Sequence, residues 1–427
     1  MKLWDKGYST DKKIDLFTVG SDRELDLHIA KYDVMASKAH AKMLAKTGLI
    51  SRQEAEDLIG ALNMINESIE AGTFTIEDQF EDVHSKIEYL LTEKLGDTGK
   101  KIHTARSRND QVLVAMQLYL KDEIKTIRSL SKELFEVLMQ LAEKYSTVSL
   151  PGYTHLQVAM PSSFGLWFSA YAESLIDDLL FLEAARKVVD QNPLGSAAGY
   201  GSSFPVDREF TTKELGFETM KVNVVAAQMG RGKVEKGVAL AISSMAGTLG
   251  KLAMDICLYM SQNFDFISFP KELTTGSSIM PHKKNPDVFE LIRGKCNLLQ
   301  GVPNQLSLLS TNLPSGYHRE LQLTKEVMIP ALQQLKACLE MMRFSLEKIE
   351  VNASITENPI YDYLYSVDTL NEKVLQGVPF RDAYKEMSEA IENGSFVPNR
   401  DVKHTHIGST GNPGFDRIRE KMDFFNG

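Results

Sequence analysis

Apolar positions recur at three- and four-residue steps through most of the chain. Across residues 122–146, Ile124, Ile127, Leu130, Leu134, Leu138 and Leu141 form one stripe with Lys and Glu between them, which predicts a long amphipathic helix. Residues 165–190 are apolar nearly all round, through Leu166, Trp167, Phe168, Tyr171, Leu175, Ile176, Leu179, Leu180 and Leu182. Residues 236–262 carry Ala, Ile, Leu and Met among small Gly and Ser. Such helices need other helices around them. Residues 287–309 and 325–350 complete a set of about five long stretches, each beyond the ~11-residue average helix. The pattern predicts a mainly α protein built on a long-helix bundle, and the all-round apolarity predicts oligomerisation.

Period-two alternation is confined to short pieces such as residues 264–269. Turn-forming residues cluster at 96–99, 192–205, 274–286 and 313–316. Shorter helical patterns flank the long ones, so three domains are expected: a mainly helical 1–105, a central bundle 106–350 and a small helical 351–427. Residues 145–172 and 296–318 contain no Asp, Glu, Lys or Arg. Pro151, His155, Gln157 and Pro161 in the first, and Asn297, Gln300, Pro303, Asn304 and Asn312 in the second, are too polar for a membrane-spanning helix, so both are expected to be deeply buried.

Composition narrows the functional classes. The 427 residues include 48 basic and 57 acidic ones, a net charge of −9, which gives no general footprint for nucleic acid or anionic membrane. Any anion site must be local. Three cysteines, Cys257, Cys296 and Cys338, form neither a disulfide framework nor a zinc set. The polar N-terminus lacks the apolar core of a signal peptide, and the cytoplasm is the expected compartment. His404 and His406 have a metal-like spacing without a third ligand set, and the 18 methionines are scattered over apolar faces as core filler.

The chemistry is concentrated in the loop 275–286, Thr-Gly-Ser-Ser-Ile-Met-Pro-His-Lys-Lys-Asn-Pro, followed at once by an amphipathic helix. A helix N-terminus offers unpaired amides and a positive dipole end, which suits a carboxylate or oxyanion near Ser277 and Lys283. The order of these residues resembles the signature loop of the fumarase, aspartase and argininosuccinate lyase superfamily. Within it, Lys101 to Gln111 (Lys-Ile-His-Thr-Ala-Arg-Ser-Arg-Asn-Asp-Gln) and Pro151 to Gln157 (Pro-Gly-Tyr-Thr-His-Leu-Gln) resemble two argininosuccinate lyase segments. Residues 81–85, 287–295 and 377–381 also match, so the resemblance runs from near Trp4 to the tail. Adenylosuccinate lyases share the Met-Pro-His-Lys loop and lack the Arg-Ser-Arg-Asn-Asp-Gln segment.

The resemblance implies elimination of fumarate from argininosuccinate to leave arginine, in a three-domain mainly α fold whose central helices form a bundle shared in a homotetramer. It implies no cofactor and no metal, and active sites that combine segments of three subunits. In the family the base is the loop serine, here Ser277, with Lys283 as the cation beside it. The acid is then His155, paired with a glutamate corresponding to Glu290. Glu290 lies among Val288, Leu291 and Ile292, so burial and a partner are expected for it. Planar Arg with Asn makes a good carboxylate clamp, and Arg108 and Asn109 are assigned to substrate. Thr154, Asn285, Tyr317, Gln322 and Lys325 stand where family substrate ligands stand.

The chain departs from the family in four places. His318, Glu320 and Leu323-Thr324 replace Asn, Asp and Glu-Asp beside the substrate's amino-acid end. Residues 226–232, Ala-Ala-Gln-Met-Gly-Arg-Gly, replace Asp-x-x-Ser-Asp-Arg-Asp and keep only Arg231. Ala105 replaces a glycine, and residues 17–22, Phe-Thr-Val-Gly-Ser-Asp, replace Phe-Asn-x-Ser and leave Ser21 as the candidate for the substrate serine. Two other readings compete with the first. A related succinyl substrate (adenylosuccinate or an N-acylated argininosuccinate) would suit the altered segments, and a crystallin-like structural role would not require Ser277, His155, Lys283 and Glu290 together.

Overall fold

The computed structural model describes residues 11–401 and 404–426. Trp4, near which the family resemblance begins, lies outside the described residues. The elements that position the site are α1 (Ala30–Lys46), α2 (Arg52–Glu70), α3 (Val83–Leu95), α4 (Arg108–Lys144), the strands β1 (Ser149–Thr154) and β2 (Gln157–Ser163), α5 (Phe164–Val189), α6 (Lys233–Tyr259), α7 (Asp287–Leu299), α8 (Val302–Leu309) and α9 (Thr324–Leu346). The fold is mainly α, as the periodicity predicts.

Local chemistry explains several boundaries. Ser51 and Glu54 close a capping box at the start of α2, and Asp82 Oδ1 accepts from Ser85 N at 2.7 Å at the start of α3. The helix expected from residue 122 begins fourteen residues earlier, at Arg108. Residues 111–120 are buried on every face, so no polar side interrupts them and the stripe that marks an amphipathic helix is missing.

Three expectations need correction. Residues 145–172 are not uniformly buried: they include the antiparallel hairpin β1–β2, with Thr154 opposite Gln157 and an exposed turn at His155 and Leu156. Helical periodicity cannot persist through Pro151, Gly152 and Pro161, and two residues with positive φ (54° and 57°) make the turn tight. Residues 296–318 are likewise buried on one side only, since Leu298 is 72% and Leu308 68% exposed. The long helix expected over 287–309 is two, α7 and α8, with the break at Gly301 and Pro303 in the first turn of α8.

Contacts divide the chain into two units. One comprises Met1–Arg128, Leu180–Ser244 and Leu298–Lys336, and its core includes Leu44, Leu58, Leu62 and Ile87. The other comprises Ser129–Leu179, Met245–Asn297 and Ala337–Gly427, with a core rich in Phe135, Phe164, Phe168, Phe266 and Phe289. Within it Tyr153 of the hairpin packs on Phe264 at a ring distance of 5.4 Å and donates to or accepts from the Tyr361 hydroxyl at 3.4 Å. Asp255 of α6 accepts from Trp167 Nε1 (3.1 Å) and the Tyr171 hydroxyl (2.6 Å). Among the described residues α6 is the helix long and apolar enough to cross a membrane by length and composition; 56% of its most apolar window is buried in the fold.

Candidate active site

A cavity of about 310 Å³ in the first unit brings together five residues assigned from sequence: Arg108, Asn109, Tyr317, Gln322 and Lys325. Its walls are the short helix Asp22–Leu25 with Asp26, the N-termini of α3 and α4, and the segment leading into α9. The Arg-Ser-Arg-Asn-Asp-Gln run divides its labour. Arg106 is buried and donates to Ser37 Oγ (2.9 Å), while Asp110 accepts from Ser107 N (2.9 Å), Gly195 N (3.0 Å) and Ala197 N (2.9 Å), pinning the turn to the helix start. Gln111 donates to Asp33. Only Arg108 and Asn109 of the run line the cavity.

The Arg108 guanidinium is anchored by Asp82 Oδ1 (3.0 Å), which leaves other faces of its donor fork for a ligand. Gln322 donates to the carbonyls of Thr18 (3.0 Å) and Val19 (3.1 Å), tying the cavity wall to the N-terminal segment. Arg319 bridges the same Thr18 carbonyl and Glu81, both at 2.8 Å. Arg231 stacks over the Tyr317 ring with its guanidinium carbon 5.1 Å from the centroid.

Lys325 is the electrostatic centre. Its Nζ lies 2.8 Å from Asp22 Oδ1 and 2.6 Å from Asp26 Oδ1, with all three side chains buried. Burial pulls the ammonium toward neutrality, and the two carboxylates more than offset this, so its pKa is raised. Burial pushes Asp22 up to about 6 against the attraction of Lys325. Asp26 is also raised by burial, while accepting from Val83 N at 3.2 Å. Beside them His84 Nδ1 lies 3.0 Å from Asp33 Oδ1, a carboxyl raised by burial against the pull of Arg106 and Gln111.

Asp22 and Asp26 were not among the residues assigned from sequence. Their signal is two acids four apart at a helix start, a pattern that solvated helices share; Ser21, the residue assigned beside them, is exposed and does not line the cavity. Glu81, His84 and Arg319 line it as well.

The second unit carries the remaining assigned residues. Thr154 and His155 stand at the exposed hairpin turn. The loop bearing Ser277 is closed at its base by Asn285 N donating to the Thr275 carbonyl (2.8 Å), and the Asn285 amide also reaches the Gly276 carbonyl (3.4 Å). At the loop tip the amides of Met280 (3.1 Å) and Ile279 (3.4 Å) donate to Ser277 Oγ, an arrangement that favours negative charge on that oxygen. Lys283 is exposed. Glu290 is exposed too, not buried as expected: α7 turns Phe289, Ile292, Cys296 and Leu299 inward, which rotates Glu290 and Leu291 outward. Among the described residues no group of three or more His, Cys, Asp or Glu side chains is arranged to hold a metal ion, and His404 is engaged by Asp368 at 2.8 Å.

Comparison with known proteins adds the family. Residues 7–301 match a family described as lyase. The argininosuccinate lyase of Phocaeicola vulgatus is 55% identical over 100% of this chain and 96% of its own length, and that of Bacteroides thetaiotaomicron is 53% identical with the same coverage. Among solved structures, an EDDS lyase variant with bound fumarate aligns with a TM-score of 0.78 at 19% identity, covering 99% of this chain and 91% of its own. The class II fumarase of Schistosoma mansoni gives 0.76 at 17% identity, covering 100% and 93%. At these identities the structures share the fold.

Proposed function

The chain belongs to the argininosuccinate lyase family of the fumarase/aspartase superfamily, and from that premise we propose how its residues carry the reaction. The activity is carbon–nitrogen lysis: fumarate is eliminated from argininosuccinate and arginine is left. The observation that carries this is identity above half over the whole length with curated argininosuccinate lyases.

A proton next to a carboxylate is removed, a doubly charged aci-carboxylate forms, and the carbon–nitrogen bond breaks as the departing guanidine is protonated. Ser277 Oγ takes the proton. A free hydroxyl is a poor base, and the two amides on its oxygen together with the Lys283 ammonium lower the energy of the alkoxide. His155 returns a proton to the guanidine, with Glu290 fixing its tautomer. Arg108 and Asn109 clamp substrate carboxylate, and Tyr317, Gln322, Lys325, Thr154 and Asn285 complete the binding set. Asp22 and Asp26, which hold Lys325 next to the altered Leu323-Thr324 pair, supply acids to this cavity wall.

The working form is a cytoplasmic homotetramer in which the Ser277 loop and the His155 turn of some subunits meet the Arg108 cavity of another. What supports this is the apolar surface at Leu291 (63% exposed), Leu298 and Leu308, and the exposure of His155, Lys283 and Glu290 in the single chain. The test follows fumarate absorbance with argininosuccinate and adenylosuccinate side by side, with and without chelator. Fumarate from argininosuccinate alone, unaffected by chelator, is expected; turnover of adenylosuccinate alone refutes the assignment.

A further inference from the structure

A second cavity of about 300 Å³ lies against the first in the same unit, and Arg231 lines both. Its wall carries three cations, Arg231, Lys233 and Lys236, and no carboxylate. Among the described residues neither lysine has an ion-pair partner. The excess is felt nearby: Lys221 is held below the ordinary lysine range by burial and by the charge of Lys233.

Beside Ser310 and Ser315, this wall carries the amide side chain of Gln228. It is 1% exposed, and neither its Nε2 nor its Oε1 has a hydrogen-bond partner. A buried amide left without partners costs about 1–3 kcal/mol; both its polar atoms are closed to water, so the side chain has to turn toward the cavity for a ligand oxygen to satisfy its donor. Glu235, the acid of this segment, is buried and does not line the cavity: it accepts from Gly232 N at 2.7 Å, and burial raises its pKa against the attraction of Arg231. The cavity is therefore positive, and it lies at the segment where Ala226, Gly230 and Gly232 stand in place of acids.

We propose that this second cavity is a carboxylate subsite, in which Lys233, Lys236 and the Arg231 guanidinium neutralise the anion and the Gln228 amide donates to it. Planar Arg and amide donors match the planar carboxylate. The carboxylate has two possible sources, a free small dicarboxylate or an acidic group on the ligand of the first cavity. The subsite is defined by binding, so its failure and that of the lyase assignment are separable.

The test is calorimetric titration of the full-length protein with succinate, in wild type, Lys236→Gln, Gln228→Glu and Arg108→Ala, with folding checked by circular dichroism. Lys236→Gln should weaken succinate about tenfold or more, as loss of one charge-assisted hydrogen bond does. Gln228→Glu should weaken it further by like charge, and Arg108→Ala should keep this binding phase. Repeating the titration on Ser277→Ala saturated with argininosuccinate separates the sources: simultaneous binding identifies a free dicarboxylate, and mutual exclusion identifies a group carried by the ligand. The proposal is overturned if wild type shows no succinate binding up to about 10 mM, if Lys236→Gln and Gln228→Glu bind as wild type does, or if Arg108→Ala alone abolishes the signal.

Discussion

Lys325 Nζ lies 2.6 Å from Asp26 Oδ1 in a fully buried contact, so a residue carried over from the family as a substrate ligand is also the counter-ion that permits two acids to be buried. Removing one partner of a buried ion pair leaves an uncompensated charge, at about 3–5 kcal/mol. Lys325→Met should destabilise the protein by that order in urea unfolding, and Asp26→Asn in the same chain should recover part of the loss. Unchanged stability in the single variant would contradict the electrostatic role.

Asp22 predicts a pH dependence. With its pKa at about 6 the carboxyl is neutral at pH 5 and ionised at pH 7. If its charge attracts the cationic end of the substrate, kcat/KM should rise with pH through about 6 and then level. In Asp22→Asn that inflection should vanish and kcat/KM should be lower throughout, chiefly through KM. A retained inflection assigns the titration to another group.

His40 predicts acid sensitivity of the fold. Burial and the Arg106 charge lower its pKa to about 3, while its Nε2 meets the Thr104 carbonyl at 2.9 Å. The unfolded chain, at about 6.5, binds the proton more readily, so stability present above pH 6.5 is lost as pH falls toward 3. Between pH 7 and pH 5 the loss is about 2 kcal/mol. His40→Gln should show a smaller loss over that interval; an equal loss would show that the imidazole does not titrate there.

Ala105 holds φ at 61°, the left-handed region where an L-residue costs about 1–2 kcal/mol. The glycine that the family carries there is explained by this angle. Ala105→Gly should raise stability by about 1 kcal/mol, reduced by the extra freedom of glycine in the unfolded chain. A lower melting temperature would contradict the strain.

The helices were legible in the sequence wherever one face stays polar, as over residues 122–146. The first turns of α4 were not, because burial on every side erases the stripe. The β1–β2 hairpin was hidden by its turn: His155 and Leu156 are poor residues for positive φ, and no Asn-Gly or Gly pair announces it. Arg108, Asn109, Tyr317, Gln322 and Lys325 could be named from motif alone and do meet in one cavity. Asp22 could not, since burial and the contact with Lys325 arise from residues some three hundred positions apart.

Ser277→Ala should fold, assemble as a tetramer and bind argininosuccinate, and it should lose about 10²–10⁴-fold in turnover. Turnover close to wild type would move the proton abstraction to His155.

The account turns on the Arg108 cavity of one subunit working with the Ser277 loop of another. Arg108→Ala and Ser277→Ala, each inactive as a pure tetramer, are to be mixed, dissociated and reassembled, and fumarate release from argininosuccinate measured. Partial recovery of activity in the mixture, absent from either parent treated alone, is the predicted result. A mixture that forms mixed tetramers and stays as inactive as its parents would contradict the shared site.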